Sequence, residues 1–273
     1  MINMTSKRKW NIFAHIVLII FSLIILLPLI WTLRTSLAPE VIAYQSKIVF
    51  APTLENYYDL FNRNKFGRHI VNSLIVAISS TFLTILIAAP GAYAVVRYRP
   101  GGSITQFLIL GADLLPPIVV AIPLFVLFRS LNLVNTLHGL ILSYLAFNIP
   151  FILWMLMGYF EGIPKDLEEA ALIDGANRLQ SFIRVIFPLA APGIMAGAVL
   201  GFIICWNEFI FALVLSGGKT STIPVALAAL QTSAGVRIGN VSAGIIIAIF
   251  PIIIMGLSMQ RYLVKGLTFG AIK

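Results

Sequence analysis

Long uninterrupted stretches of apolar residues dominate the chain. Six of them are long enough to cross a lipid bilayer as a helix, which takes about 20 predominantly apolar residues. They cover residues 12–33, 70–96, 104–128, 137–160, 193–215 and 241–263. Only helices and closed barrels satisfy the backbone in lipid, and barrel strands alternate apolar and polar positions, which these stretches do not. The pattern predicts an all-α integral membrane protein with six transmembrane helices.

The composition is also typical of a membrane protein. Apolar residues make up 59% and charged residues only 11% of the 273 residues, whereas a soluble chain carries about 25% charged residues. The net charge of +9 would suggest a nucleic-acid partner in a soluble protein. In a membrane protein, Lys and Arg mark the cytoplasmic loops instead. Most of them lie inside if the N-terminus is cytoplasmic, so we expect both termini in the cytoplasm and no nucleic-acid partner.

The polar segment between the fourth and fifth stretches, residues 161–191, has the most specific pattern. Asp166, Glu168 and Glu169 favour the positive N-terminal end of a short helix, and Gly175 is suited to end it in a left-handed conformation. Apolar residues at the spacing of a second amphipathic helix follow at Leu179, Phe182, Ile183 and Ile186. We predict two short helices joined by a sharp turn, which either dock on a partner protein or rest on the membrane surface.

Four sequence elements resemble the sugar branch of bacterial ABC importer permeases. In chain order they are Pro116-Pro117 with Pro123; Glu169-Ala170-Ala171 followed by Asp174-Gly175-Ala176 and Val185-Ile186-Phe187-Pro188; Trp206-Asn207-Glu208; and Val264-Lys265-Gly266-Leu267-Thr268 with Gly270-Ala271. The second element resembles the EAA loop of that family, although Val185 and Phe187 stand where the family pattern has Ile and Leu. Nearly the whole chain is similar to MalG-type carbohydrate permeases. Residues 161–191 are called the EAA loop below.

The resemblance implies a type I ABC importer permease fold in the bacterial cytoplasmic membrane, with coupling helices in the EAA loop. It divides the chain into an N-terminal helix with an extracytoplasmic loop (1–69), a permease core (70–262) and a cytoplasmic tail (263–273). The implied function is to form half of the pathway for a sugar, a disaccharide or oligosaccharide. The implied partners are a second, MalF-like permease, two ATPase subunits, an extracytoplasmic sugar-binding protein and membrane lipid.

The resemblance also assigns roles to particular residues. The residues implied to dock on the ATPase subunits are Glu169, Ala170, Ala171, Asp174 and Gly175. ATP and Mg²⁺ would be held by those subunits, so no cofactor is expected in this chain.

Polar residues at membrane depth are candidates for the transport pathway. Asn148, Asn207 and Glu208 lie within predicted spans, and such residues usually face a cavity or a partner. Trp154 and Trp206 offer aromatic surface for a sugar ring. The same residues are also consistent with a structural role, in which they bridge helices or hold the partner permease.

The sequence carries no catalytic motif. A Walker A sequence is absent, and His15, His69 and His138 do not have the spacing of metal ligands. We therefore predict that the chain is not an enzyme. A stand-alone secondary transporter or channel remains as an alternative, although it would need internal repeats or a line of buried charges. A membrane scaffold without a transport role would not require the patterned EAA loop.

Overall fold

The computed structural model describes residues 4–45, 47–232 and 235–269. Most of the described chain is helical. The elements in chain order are α1 (Met4–Ser36), α2 (Glu40–Ala43), α3 (Glu55–Asn62), α4 (Phe66–Tyr98), α5 (Ser103–Asp113), α6 (Pro117–Ser130), α7 (Leu137–Glu161), α8 (Asp166–Ile173), α9 (Arg178–Ser181), a π-helical segment (Phe182–Ile186), α10 (Phe187–Leu189), α11 (Ala191–Asn207), α12 (Ile210–Leu215), α13 (Ile223–Ala229), β1 (Gln231–Thr232), β2 (Gly235–Val236) and α14 (Ile238–Phe269). The two strands form a two-residue antiparallel ladder.

Among the residues that the structure describes, four helices are long and apolar enough to cross a membrane unbroken: α1, α4, α7 and α14. They contain the predicted spans 12–33, 70–96, 137–160 and 241–263, which confirms those four. In α1 the large apolar side chains are exposed around the whole helix; Ile24, for example, is 63% exposed. A helix that is apolar on every side needs lipid or protein around it.

The third and fifth predicted spans are not single helices, which corrects that part of the prediction. The third is divided into α5 and α6, whose axes meet at 85°. Pro116 and Pro117 lie at this bend, and proline both lacks a backbone donor and disfavours helix in the residue before it. In the fifth, α11 ends at Asn207 and the chain resumes in α12 at Ile210. A second bent pair lies at the other end of α11, where the helical run Arg178–Leu189 meets it at 74°. Counting each of the two bent pairs as one span gives up to six spans among the described residues.

The second helix of the EAA loop is also less regular than predicted. Four α-helical residues, α9, lead into the π-helical segment and then into the three residues of α10. Pro188 lies in the first turn of α10, and the chain bends by 74° before α11.

The chain folds as two compact units. The first comprises Met1–Phe66 and Leu227–Ile249, and the second comprises Gly67–Ala226 and Phe250–Lys273. Polar contacts hold the first unit together. The Asn56 amide donates to the carbonyls of Ser36 (2.9 Å) and Ala38 (2.8 Å), which fixes the chain as it leaves α1.

An ion-pair cluster also stabilises the first unit. The Arg237 guanidinium pairs with Glu40 at 2.8 Å and with the buried Asp59 at 2.9 Å. These contacts connect α2, α3 and the residue that precedes α14. A buried carboxylate such as Asp59 requires a partner of this kind, because an unpaired charge is costly to remove from water.

The core of the second unit lies where α4, α7, the π-helical segment and α11 meet. Small residues let these helices approach closely: Ala88, Ala89 and Ala92 of α4 are fully or almost fully buried. At Gly193 of α11, a Cβ atom would lie 2.4 Å from the Tyr159 ring of α7, so only glycine fits there. This packing holds the EAA loop against the end of α4.

Candidate functional site

The turn of the EAA loop is a Schellman motif, which satisfies the last carbonyls of α8. The Ala176 amide donates to the Ala171 carbonyl at 3.0 Å, and the Gly175 amide donates to the Leu172 carbonyl at 3.1 Å. Gly175 has a φ of 88°, which confirms the predicted left-handed position. A Cβ atom at Gly175 would meet nothing within 4 Å. The backbone conformation, and not the space within this chain, therefore requires glycine here.

The residues implied to dock on a partner lie on the exposed side of this turn. Glu169, Ala170 and Asp174 are exposed and Ala171 is half-buried. The side chain of Ile173, at the tip of the loop, is 86% exposed. Leu172, beside it, is 38% exposed, so apolar side chains lie next to the small and acidic residues of this turn. The structure thus presents these residues together as one protruding surface.

Glu168 precedes Glu169 but has the opposite environment. Its carboxylate lies 3.0 Å from Nε of Arg97, and the two side chains are only 11% and 5% exposed. The Tyr93 hydroxyl donates to the other carboxylate oxygen. Arg97 also donates through Nη2 to the Ile163 carbonyl at 2.9 Å. A buried ion pair therefore joins the start of α8 to the last turn of α4.

Sequence reasoning missed this cluster. It treated Glu168 only as a charge that favours a helix start, and it used Arg97 only to orient the chain in the membrane. Consecutive residues of a helix point about 100° apart, so two neighbouring glutamates face different directions. The doubled glutamate was the available signal, but it did not identify the partner on α4.

Aromatic contacts attach the second half of the EAA loop to the same end of α4. The Tyr93 and Phe182 rings are 4.7 Å apart. The Arg178 guanidinium lies 5.0 Å from the centre of the Tyr98 ring, a distance at which cation–π attraction is effective. Both halves of the loop are therefore fixed to the last two turns of α4.

The breaks in the third and fifth predicted spans line a common cavity of about 420 Å³, called the break cavity here. Its lining includes Leu115 and Pro117 from the first break and Asn207, Glu208 and Phe209 from the second. Interrupted helices at membrane depth are tolerated where they line a cavity, and they often form transport sites. Two of the three predicted pathway residues thus lie together.

Glu208 has a structural role as well. Its two carboxylate oxygens accept from the amides of Phe211 (2.9 Å) and Ala212 (3.1 Å). These amides belong to the first turn of α12 and have no partner within that helix. The exposed Asn207 amide nitrogen donates to the Ile203 carbonyl of its own helix at 2.8 Å, and its side chain lines the break cavity.

A second cavity of about 430 Å³ lies between α5, α7 and α11 and is called the Trp154 cavity here. Trp154 is 50% exposed. The lining of this cavity also includes the polar side chains of Gln106 and Glu161. The break cavity contacts α7 at Ala146 and Phe147, and the Trp154 cavity contacts the same helix from Trp154 onward. The two cavities therefore follow each other along α7.

Asn148 and Trp206 are buried and line neither cavity. Asn148 is fully buried, with its amide nitrogen 3.1 Å from the Cys205 sulfur. Trp206 is 2% exposed and stacks on Phe202 with ring centres 5.5 Å apart. The structure favours the bridging role for Asn148, between α7 and α11, over the predicted pathway role. Of the two tryptophans, only Trp154 offers an accessible ring.

Comparison with known proteins identifies the family of the chain. Residues 80–269 match the family described as binding-protein-dependent transport system inner membrane component. The chain belongs to this family. It is thus a multi-pass membrane permease of an ABC importer and not an enzyme, as the sequence predicted.

Relatives of this permease extend the likeness over nearly its whole length. It is 38% identical over 261 residues to the trehalose/maltose transport system permease protein MalG of Thermococcus litoralis, covering 93% of this chain and 94% of that protein. It is 38% identical over 256 residues to the trehalose transport system permease protein SugB of Mycobacterium tuberculosis, covering 91% and 92%.

A solved structure gives the same result for the permease fold. A chain of a bacterial ABC transporter involved in the import of the acidic polysaccharide alginate superposes with a TM-score of 0.75 at 26% identity. The match covers 96% of this chain and 99% of that chain. The predicted type I ABC importer permease fold is confirmed.

Proposed function

We propose that this permease forms half of a membrane pathway for a disaccharide or oligosaccharide, and that partner ATPase subunits drive import by docking on the EAA loop. The exposed turn from Glu169 to Gly175, closed by a Schellman motif, is the observation that carries the proposal. It presents a preorganised surface, which lowers the cost of binding a partner. The names of the relatives support the substrate class, since MalG and SugB are described as transporting trehalose or maltose.

The two cavities along α7 supply surfaces suited to a sugar. In the break cavity, Asn207 and Glu208 offer oxygen and nitrogen atoms to hydroxyl groups. In the Trp154 cavity, the exposed indole offers a flat apolar face to the C–H groups of a pyranose ring. A sugar passing along α7 would meet the break cavity and the Trp154 cavity in turn.

The remaining parts of the importer follow from the same proposal. A second permease would close the pathway from the other side, and two ATPase subunits would hold ATP and Mg²⁺. An extracytoplasmic binding protein would deliver the sugar to the side of the membrane opposite the EAA loop. The EAA loop and both termini would lie in the cytoplasm of a bacterial cell, in agreement with the distribution of Lys and Arg.

Affinity purification of the tagged chain from native membranes tests this function. We expect a second permease and an ATPase to co-purify, and we expect the complex to hydrolyse ATP faster when the binding protein and its sugar are added. A Glu169→Lys exchange should abolish recovery of the ATPase while the chain still inserts. A chain that purifies alone and transports without ATP would contradict the proposal and favour a secondary transporter or channel.

A further inference from the structure

The ion pair between Arg97 and Glu168 connects the EAA loop to a membrane-spanning helix. We propose that Arg97, with Tyr93, is a positioning residue that passes movement of the coupling helix α8 to α4 through Glu168. This inference rests on the proposed function, because it requires an ATPase docked on the EAA loop. It assigns adjacent glutamates to different tasks: Glu169 contacts the partner, and Glu168 connects the loop to the span.

The burial of the two glutamates supports this division. Glu169 is exposed, whereas the Glu168 side chain is 11% exposed and faces α4. A docked ATPase can reach the first carboxylate but not the second. Force applied to the outer side of α8 would therefore act on α4 through the contacts on the inner side.

Arg97 contacts two segments of the chain at once. Its Nε lies 3.0 Å from the Glu168 carboxylate, and its Nη2 donates to the Ile163 carbonyl at 2.9 Å. One planar guanidinium thus contacts α8 and also Ile163, the second residue after α7. Lysine has a single ammonium on a flexible stem and does not reproduce such a two-sided contact.

Tyr93 strengthens the same connection. Its hydroxyl donates to Glu168, and its ring lies 4.7 Å from Phe182 in the second half of the loop. Tyr93 and Arg97 are four residues apart, so they lie on one face of α4. The Tyr93 hydrogen bond and the Arg97 ion pair therefore both join α4 to Glu168.

The test uses the assembled transporter in proteoliposomes, with its ATPase subunits, binding protein and sugar. Variants Glu168→Gln, Arg97→Lys and Tyr93→Phe are compared with Glu169→Gln, the neighbouring control that should weaken ATPase recovery instead. The readout is the ratio of sugar-stimulated to basal ATP hydrolysis, with ATPase recovery measured in parallel. Coupling between two sites usually amounts to a factor of about 5–150.

We expect Glu168→Gln and Arg97→Lys to keep the ATPase bound and to lower the stimulation ratio about fivefold or more. Tyr93→Phe keeps the ion pair between Arg97 and Glu168. We therefore expect this variant to keep the ATPase bound and to lower the stimulation ratio by a smaller factor. The double variant Arg97→Lys/Glu168→Gln should be no worse than either single variant, since both act through one contact.

Unchanged ratios in the assembled Arg97, Glu168 and Tyr93 variants would overturn the inference. Strictly additive losses in the double variant would also overturn it, because Arg97 and Glu168 would then act independently. If the unmodified chain recruits no ATPase, the proposed function itself fails. That outcome is distinct, because it appears before any variant is compared.

Discussion

Gly175 is the residue whose backbone conformation determines the shape of the EAA loop. With φ at 88°, a side chain at this position costs about 1–2 kcal/mol for most residues, and asparagine pays least. We expect Gly175→Asn to be tolerated best, Gly175→Ala less well and Gly175→Val least, since β-branched residues are strongly disfavoured at positive φ. Recovery of the ATPase with the tagged chain measures this order.

A glycine in an ordinary helix provides the control for that series. Gly111 lies within α5, and a Cβ atom there would also meet nothing within 4 Å. Gly111→Ala should therefore leave ATPase recovery unchanged. If Gly175→Val recovers as much ATPase as Gly175→Asn, the positive φ is not what the docking surface requires.

Glu208 combines a place in the break cavity with a structural bond at the start of α12. Glu208→Ala leaves the Phe211 and Ala212 amides without their acceptor, and loss of a helix cap costs about 0.5–2 kcal/mol. Glu208→Gln keeps one acceptor oxygen, so we expect an intermediate loss. Thermal unfolding of the detergent-solubilised proteins measures the order of stability, which we expect to fall from the unmodified chain to Glu208→Gln and then to Glu208→Ala. Equal stability of all three proteins would show that α12 does not depend on this cap.

At the scale of elements, the apolar pattern was sufficient for α1, α4, α7 and α14 but not for the broken spans. Hydropathy averages over some 20 residues and stays high across Pro116-Pro117 and across Glu208. The break after α11 depends on the hydrogen bonds that Glu208 accepts from the amides of α12. Local composition does not reveal such bonds. The ion pair of Arg97 with Glu168 was missed for a related reason: the partners are far apart in sequence, and no local pattern links them.

The position of Trp154 beside its cavity makes a prediction about transport. The indole is 50% exposed, so its removal should disturb the fold little. Loss of an aromatic contact costs about 0.5–1.5 kcal/mol, and we expect Trp154→Ala to slow sugar uptake about two- to tenfold. Trp154→Phe keeps a flat apolar face, so sugar uptake by this variant should be slowed less.

The control for Trp154 is Trp10 of α1, which is 69% exposed and lines neither cavity. Uptake of radiolabelled sugar into cells at equal expression provides the measurement. If Trp154→Ala and Trp10→Ala both transport like the unmodified chain, the indole of Trp154 does not contact the sugar.

For the whole molecule, the number of spans depends on the bent pair α5 and α6. If the pair is one span, its two ends lie on opposite sides of the membrane; if it is a re-entrant loop, they lie on the same side. The six-span arrangement is also what puts both termini in the cytoplasm, because an even number of spans returns the chain to its starting side. The 85° bend is compatible with either path.

Two conservative substitutions decide between these paths. Ser103 begins α5 and Ser130 ends α6, and both are exposed. Each is changed to cysteine in a Cys205→Ala background, since Cys205 is the one cysteine of the sequence. We expect a membrane-impermeant maleimide to label Ser130→Cys in intact cells, and to label Ser103→Cys only after the membrane is opened. Labelling of both in intact cells, or of neither, would make α5 and α6 a re-entrant loop. The span count would then be odd, and the two termini would lie on opposite sides of the membrane.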